Sequence, residues 1–170
     1  MKSILLIFCC CLIAACNEPA TTTGEVEIGS ILRDIPMNSF TGDIRKFSAY
    51  RGKPLIINVW ASWCEPCRAE MASLEQLSSR FNGKQFNIIG ISTDDNASAA
   101  AVAIKQSKLT FANYLDHDVM LENMLGASSI PLTILVDAYG RVLLKVRGSR
   151  EWDSPESLRL IEQTFHIKLE

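Results

Sequence analysis

The residues of this chain best suited to covalent chemistry are Cys64 and Cys67, set two apart in Trp60-Ala61-Ser62-Trp63-Cys64-Glu65-Pro66-Cys67. Thiols at this spacing can close into a disulfide and reopen by exchange, carrying two electrons each time. The loop such a bond closes is too short to restrict the unfolded chain much, so its value is chemical. The chain has six cysteines in all. Cys9, Cys10 and Cys11 fall in an apolar leader and Cys16 at its end, leaving Cys64 and Cys67 alone in the part that folds. Two other readings stand beside exchange: an inert buried pair, or half of a zinc site. Zinc asks for about four ligands, and His117 and His166 are distant in sequence and not in a paired spacing.

Position supports the reactive reading. Leu55 to Trp60 is a continuous apolar run, the pattern of a strand buried on both faces. After the cysteines, Met71, Leu74, Leu77 and Phe81 recur at helical spacing until Asn82-Gly83. The pair therefore sits where a strand ends and a helix begins, a favoured place for active sites in open α/β sheets. Unpaired N–H groups and the positive end of the helix dipole favour a thiolate there. Cys64, exposed at the helix mouth, is expected to attack a substrate disulfide. Cys67, one turn in and more buried, is expected to resolve the mixed disulfide. The Glu65 carboxylate, about 6 Å from the attacking sulfur at an effective dielectric of 40–80, opposes that thiolate by roughly 0.7–1.4 kcal/mol. Destabilising the reduced form makes a reductant rather than a strong oxidant.

The rest of the chain supplies a scaffold. Apolar runs around Asn38-Ser39-Phe40-Thr41-Gly42-Asp43 predict an N-terminal hairpin, Asn87 to Thr93 a second buried strand, and Asn96 to Lys108 a second helix. The Asp94-Asp95 pair before that helix reads as its cap rather than as a cation site. Leu132 to Val136 and Val142 to Val146 flank Asp137-Ala138-Tyr139-Gly140 as an antiparallel hairpin. Ser154-Pro155-Glu156 opens a last helix whose apolar face is Leu158, Ile161 and Phe165. The fold class is α/β, a mixed sheet flanked by helices. With 48% hydrophobic and 21% charged residues the chain is globular, and its net charge of −2 without basic runs leaves nucleic acid an unexpected partner.

Residues 1–15 read as a signal peptide, an apolar stretch after Lys2 too short to span a membrane stably. Ile13-Ala14-Ala15-Cys16 resembles the lipobox of bacterial lipoproteins, which implies acylation of Cys16, palmitate among the chains. The alternative is an ordinary secretory signal that leaves Cys16 a free thiol. Residues 16–27 then form a tether and residues 28–170 the domain. The expected location is the cell envelope, facing the periplasm; Asn17 leaves inner against outer membrane open.

Together these motifs resemble the TlpA/ResA-like branch of the thioredoxin superfamily, over roughly Ile28 to Phe165. The resemblance is carried by Gly52 to Glu70, by Ile130-Pro131-Leu132-Thr133, by Asp137-Ala138-Tyr139-Gly140, and by Gly148 with Trp152. It implies a thioredoxin-like fold with an insertion between the central strand and a cis-proline loop. In that loop Pro131 would follow a cis bond and present the Ile130 backbone to substrate. Trp63, Glu65 and Pro66 would face substrate around the dithiol, with core packing the other reading of Trp63. Trp60, inside the strand, reads as packing. Glu70, three residues after Cys67 on the same helix face, would carry a proton to or from a sulfur, a solvated surface acid being the alternative. Asn58 occupies the strand position where many thioredoxins have a buried Asp, and reads as a hydrogen-bonding core residue.

The implied partners are disulfide-containing exported proteins, apocytochrome c among the family's contexts, and a transmembrane thiol electron donor. No cofactor beyond the Cys64–Cys67 disulfide, no metal, and a monomeric state are expected. A copper chaperone and a thiol peroxidase are the competing functions. Copper proteins of this fold usually show C-x-x-x-C with a placed His. Ala61 stands where a peroxidatic site has Thr.

Overall fold

A computed structural model describes residues 24–170. Cys16 and the leader lie outside the described residues, so the signal and lipid-anchor expectations fall outside them too. Among the described residues no helix is long and apolar enough to cross a membrane.

Seven strands form one sheet in the order β2-β1-β5-β4-β3-β6-β7. At its centre β3 (Leu55–Trp60) is buried along its whole length, as its unbroken apolar run requires. It pairs parallel with β4 (Asn87–Ser92) and antiparallel with β6 (Leu132–Val136). Beyond β4, β5 (Ala112–Leu115) adds a further parallel strand. The N-terminal hairpin of β1 (Pro36–Ser39) and β2 (Ile44–Lys46) completes that side, and β7 (Val142–Arg147) forms the opposite edge beside β6. This is the mixed sheet and the two hairpins that the patterning predicts, in a thioredoxin-like arrangement.

Alternation along β3 feeds two layers. Ile57 and Val59 pack with Leu121, Met124 and Leu125 of α3 (Met120–Leu125) on one face. On the other, Ile56 packs with α1 (Glu65–Phe81) and α4 (Pro155–Phe165) through Leu74, Leu77, Phe81, Ile161 and Phe165. Trp60 meets Ala100 and Ala103 of α2 (Ala97–Gln106) on that same side. Between β4 and the cis-proline loop, α2 and β5 occupy the place where the resemblance implies an insertion.

Three elements lack a clear sequence signal. β5 is four residues long, α3 six, and a single 3₁₀ turn occupies Phe47–Tyr50. The first turn of α3 has no side-chain cap from its own N-cap residue, Val119. Instead the buried Asp116 carboxylate accepts from Leu121 N (3.0 Å) and Glu122 N (2.6 Å).

The packed structure also begins before residue 28: residues 25 and 26, expected in a tether, are anchored to the domain. Val26 is buried, and its N–H donates to Met124 O at 2.7 Å. Glu25 receives Lys145 Nζ at 2.7 Å. The polar composition of this stretch hides an apolar anchor, Val26, and an acid, Glu25, that pairs with Lys145 and, at 3.9 Å, with Arg147.

Candidate redox site

Trp60 ends β3, and four residues later α1 opens with Cys64 as its N-cap. Cys64 and Cys67 are joined by a disulfide, S–S 2.01 Å with Cα atoms 5.3 Å apart. Cys67 N–H donates to Cys64 Sγ at 3.2 Å. An unpaired amide of the first helical turn therefore points at the sulfur expected to carry negative charge once the bond opens. Pro66, in the first turn, gives up an N–H that the helix does not need.

One expectation is corrected in degree. Cys64 is not broadly exposed: 5% of its surface reaches solvent, against 1% for Cys67. The cause is packing in a cluster with Trp60, Ala61, Met71, Ala100 and Ala103, on which Ile130 and Phe40 rest. The order is as expected, Cys64 outer and Cys67 inner, but access in the disulfide form is a narrow opening.

Around that opening Trp63 is 69% exposed, so the core-packing reading of Trp63 is excluded. Glu65 and Pro66 are exposed beside it. Opposite, the Ile130–Pro131 bond is cis. The β3–β6 register pairs Val59 with Leu132 and so carries Pro131 to the level of Trp60, at the root of the cysteine loop. Pro131 is buried and Ile130 half-buried. The structure thus brings Trp63, the two cysteines, Ile130 and Pro131 to one end of the sheet.

Glu70 is not a solvated surface acid. It is 1% exposed, turned toward β3 rather than outward. Its Oε1 accepts from Asn58 Nδ2 at 2.7 Å. Its Oε2 accepts from Arg150 N at 3.0 Å and from Trp152 Nε1 at 3.2 Å. Burial pushes the carboxyl up to about 6, and these three donors, which favour the charged form, hold it from rising further. Asn58 also donates to Thr133 Oγ1 at 3.1 Å, tying β3 to the strand that follows the cis-proline. Asn58 is thus the hydrogen-bonding core residue expected, with a carboxylate as its partner.

The Asp94 expectation is corrected. Asn96, not Asp94 or Asp95, caps α2, accepting from Ser98 N and Ala99 N. Asp94 is 2% exposed and faces the cysteine loop. It accepts from Ser62 N (2.9 Å), Ser62 Oγ (2.6 Å) and Ser92 Oγ (2.8 Å). It therefore clamps the residue two before Cys64 onto the end of β4. The sequence holds only a weak signal for this, hydroxyls at Ser62 and Ser92 whose shared acceptor is set by strand adjacency. His117 and His166 are exposed and apart from the site. Trp60, read as packing, is buried and also donates from Nε1 to Asn113 Oδ1 at 3.0 Å.

Residues 28–145 match the model of the AhpC/TSA family, more than half of the chain. The chain belongs to that family. Among its relatives, this family member is 26% identical over 130 residues to the thiol-disulfide oxidoreductase ResA of Bacillus thuringiensis, covering 76% of this chain and 75% of that protein. It is 24% identical over 147 residues to the ResA of Bacillus subtilis, covering 86% and 82%. Among solved structures, a candidate thiol:disulfide interchange protein DsbE from Chlorobium tepidum superposes with TM-score 0.72 at 26% identity, covering 82% of this chain and 96% of that one. The thioredoxin domain of a Bacteroides vulgatus thiol-disulfide oxidoreductase gives 0.69 at 25% identity, covering 82% and 98%.

Proposed function

We propose that this family member is a thiol–disulfide oxidoreductase that reduces disulfides in other exported proteins, held at a membrane by a lipid on Cys16. The observation that carries the reading is the Cys64–Cys67 bond at the first turn of α1, with Cys67 N–H aimed at Cys64 Sγ.

The reduced protein starts the cycle. The Cys64 thiolate attacks one sulfur of a substrate disulfide, forming an intermolecular S–S bond and expelling the other substrate sulfur as a thiolate that takes a proton from solvent. Cys67 then gives its proton to Glu70 and attacks Cys64 Sγ. The second substrate thiolate leaves, two electrons have passed to substrate, and the intramolecular disulfide of the structure is formed. A membrane dithiol donor restores the cysteines by the same exchange in reverse, and Glu70 returns the proton. Asn58 is a neutral amide and cannot accept one, and Glu65 is exposed at the helix start, so Glu70, the buried acid three residues after Cys67, is the group assigned to it.

Substrate polypeptide is read by the rim. Trp63 offers a large exposed apolar face, and the Ile130 backbone offers hydrogen bonds beside it. Direction toward reduction follows from Glu65, whose exposed carboxylate disfavours the reduced thiolate. Apocytochrome c is one substrate within this class, and the periplasmic face of the envelope is the expected place of work.

The test is Cys67→Ser in the full-length chain expressed in a Gram-negative envelope. Mixed disulfides on Cys64 should accumulate, disappear on adding reductant, and contain exported proteins. If none form while the variant is folded and exported, the proposed function is wrong.

A further inference from the structure

The segment between β7 and α4 touches the site through Glu70. Trp152 is fully buried. Its indole N–H and the Arg150 amide both end on Glu70 Oε2. The segment is itself pinned to α1 by Ser73, whose hydroxyl accepts from Trp152 N at 3.0 Å and donates to Glu70 O at 2.8 Å. Ser73 lies one turn beyond Glu70, so one hydroxyl fixes both the helix turn carrying the carboxylate and the segment that binds it.

A buried indole N–H needs one acceptor, and many would serve. Here the acceptor is the buried acid one helical turn after Cys67. The charged groups around it are few. From β3 and β6 come the neutral Asn58 and Thr133. On α1 itself the titratable neighbour one turn away is Cys67. The Arg150 guanidinium is turned toward Ser157 Oγ and Glu156 Oε1, each at 3.3 Å, so Arg150 reaches Glu70 through its backbone alone. Among the described residues no ion pair holds Glu70; neutral donors do.

We infer that Trp152 is a positioning residue for the redox reaction: its indole N–H, with the Arg150 amide of the segment that Ser73 pins to α1, fixes the Glu70 carboxylate one helical turn after Cys67, where it serves as a proton acceptor. This rests on the reading of Glu70 as the group that takes the Cys67 proton. Donors to a carboxylate favour its ionised form, so removing one raises the pH at which Glu70 can accept.

The experiment measures the rate of the resolving step against pH, as release of a small-molecule thiol from a mixed disulfide on Cys64, in wild type, Trp152→Phe, Ser73→Ala, Glu70→Gln and Trp152→Phe/Glu70→Gln. Trp152→Phe keeps an aromatic side chain but removes the N–H together with part of the indole's buried volume. Its effect is therefore read on the inflection, which a lost hydrogen bond to Glu70 moves, and is checked against the Glu70→Gln background. The wild-type profile should rise with an inflection near 6. In Trp152→Phe that inflection should move up by about one pH unit, the size of one lost hydrogen bond to a charged group. Ser73→Ala should move it in the same direction by less, and stands in if Trp152→Phe is too unstable to assay. On the Glu70→Gln background the inflection should be absent and Trp152→Phe should change nothing further. An unmoved inflection in folded Trp152→Phe, with Glu70→Gln still abolishing it, overturns the role of Trp152 and leaves that of Glu70 standing. An inflection that survives Glu70→Gln overturns both.

Discussion

The Asn58 amide donates to the Glu70 carboxylate at 2.7 Å within the core, one helical turn behind the resolving cysteine. An ionisable acid is thus kept inside the protein at a place where three neutral donors support its charge without a cation. That arrangement costs stability when the acid is ionised, and the cost is readable.

Because the folded carboxyl is raised to about 6 from 4.5, the folded state holds a proton that the unfolded state has lost across that interval. Stability should be greatest below pH 4.5 with respect to this group, fall as pH rises toward 6, and level off above. The effect is on the order of 2 kcal/mol. Thermal melts of the oxidised protein at closely spaced pH values should show this fall in wild type and not in Glu70→Gln.

On the proposed reading, the Glu65 carboxylate biases the dithiol toward reduction. Glu65→Gln should raise the reduction potential by roughly 15–30 mV, the two-electron equivalent of half to one pKa unit on the thiolate. Glutathione titration reads it directly. Because Glu65 is exposed, the difference between variant and wild type should shrink in high salt.

Asp94→Ala leaves the Ser62 amide and hydroxyl without their acceptor. The expected loss is about 2 kcal/mol, a fall in Tm of roughly 4–8 °C, together with slower exchange as the cysteine loop loosens. Asp94→Asn keeps an acceptor oxygen and should recover much of both. Differential scanning calorimetry and an insulin-reduction assay check the pair.

Gly90 leaves room for the Trp60–Asn113 hydrogen bond. A Cβ there would stand 1.9 Å from Asn113 Oδ1 and 2.9 Å from Trp60 Nε1. Gly90→Ala should cost about 1–3 kcal/mol by forcing those side chains apart, seen as a lower denaturant midpoint with an unchanged m-value.

Much of this design is written locally and therefore legible. The unbroken apolar run of β3, the 3.6-residue period of α1, and Ser154-Pro155 before α4 each determine their element within a dozen residues. The dithiol is legible for the same reason, since its spacing and its place before a helix are local facts. What escapes is set by distance along the chain. Trp152 finds Glu70 eighty-two residues away, and Asp94 finds Ser62 across two adjacent strands, so neither partner is visible from its own neighbourhood. β5 and α3 escape because they are too short for a period to show, and α3 is capped by Asp116 from outside its own first turn. Likewise, the packing of Phe40 and Ile130 against the cluster that holds Cys64 depends on how the hairpin and the cis-proline loop close on it.

On the proposed mechanism Cys64 is the attacking sulfur despite its narrow opening to solvent. Limiting iodoacetamide added to the reduced, folded protein at neutral pH, followed by peptide mass spectrometry, tests it. Label should appear on Cys64 well ahead of Cys67, and Cys64→Ser should abolish the fast phase. Label appearing first on Cys67, or on neither sulfur until the protein is unfolded, would contradict it.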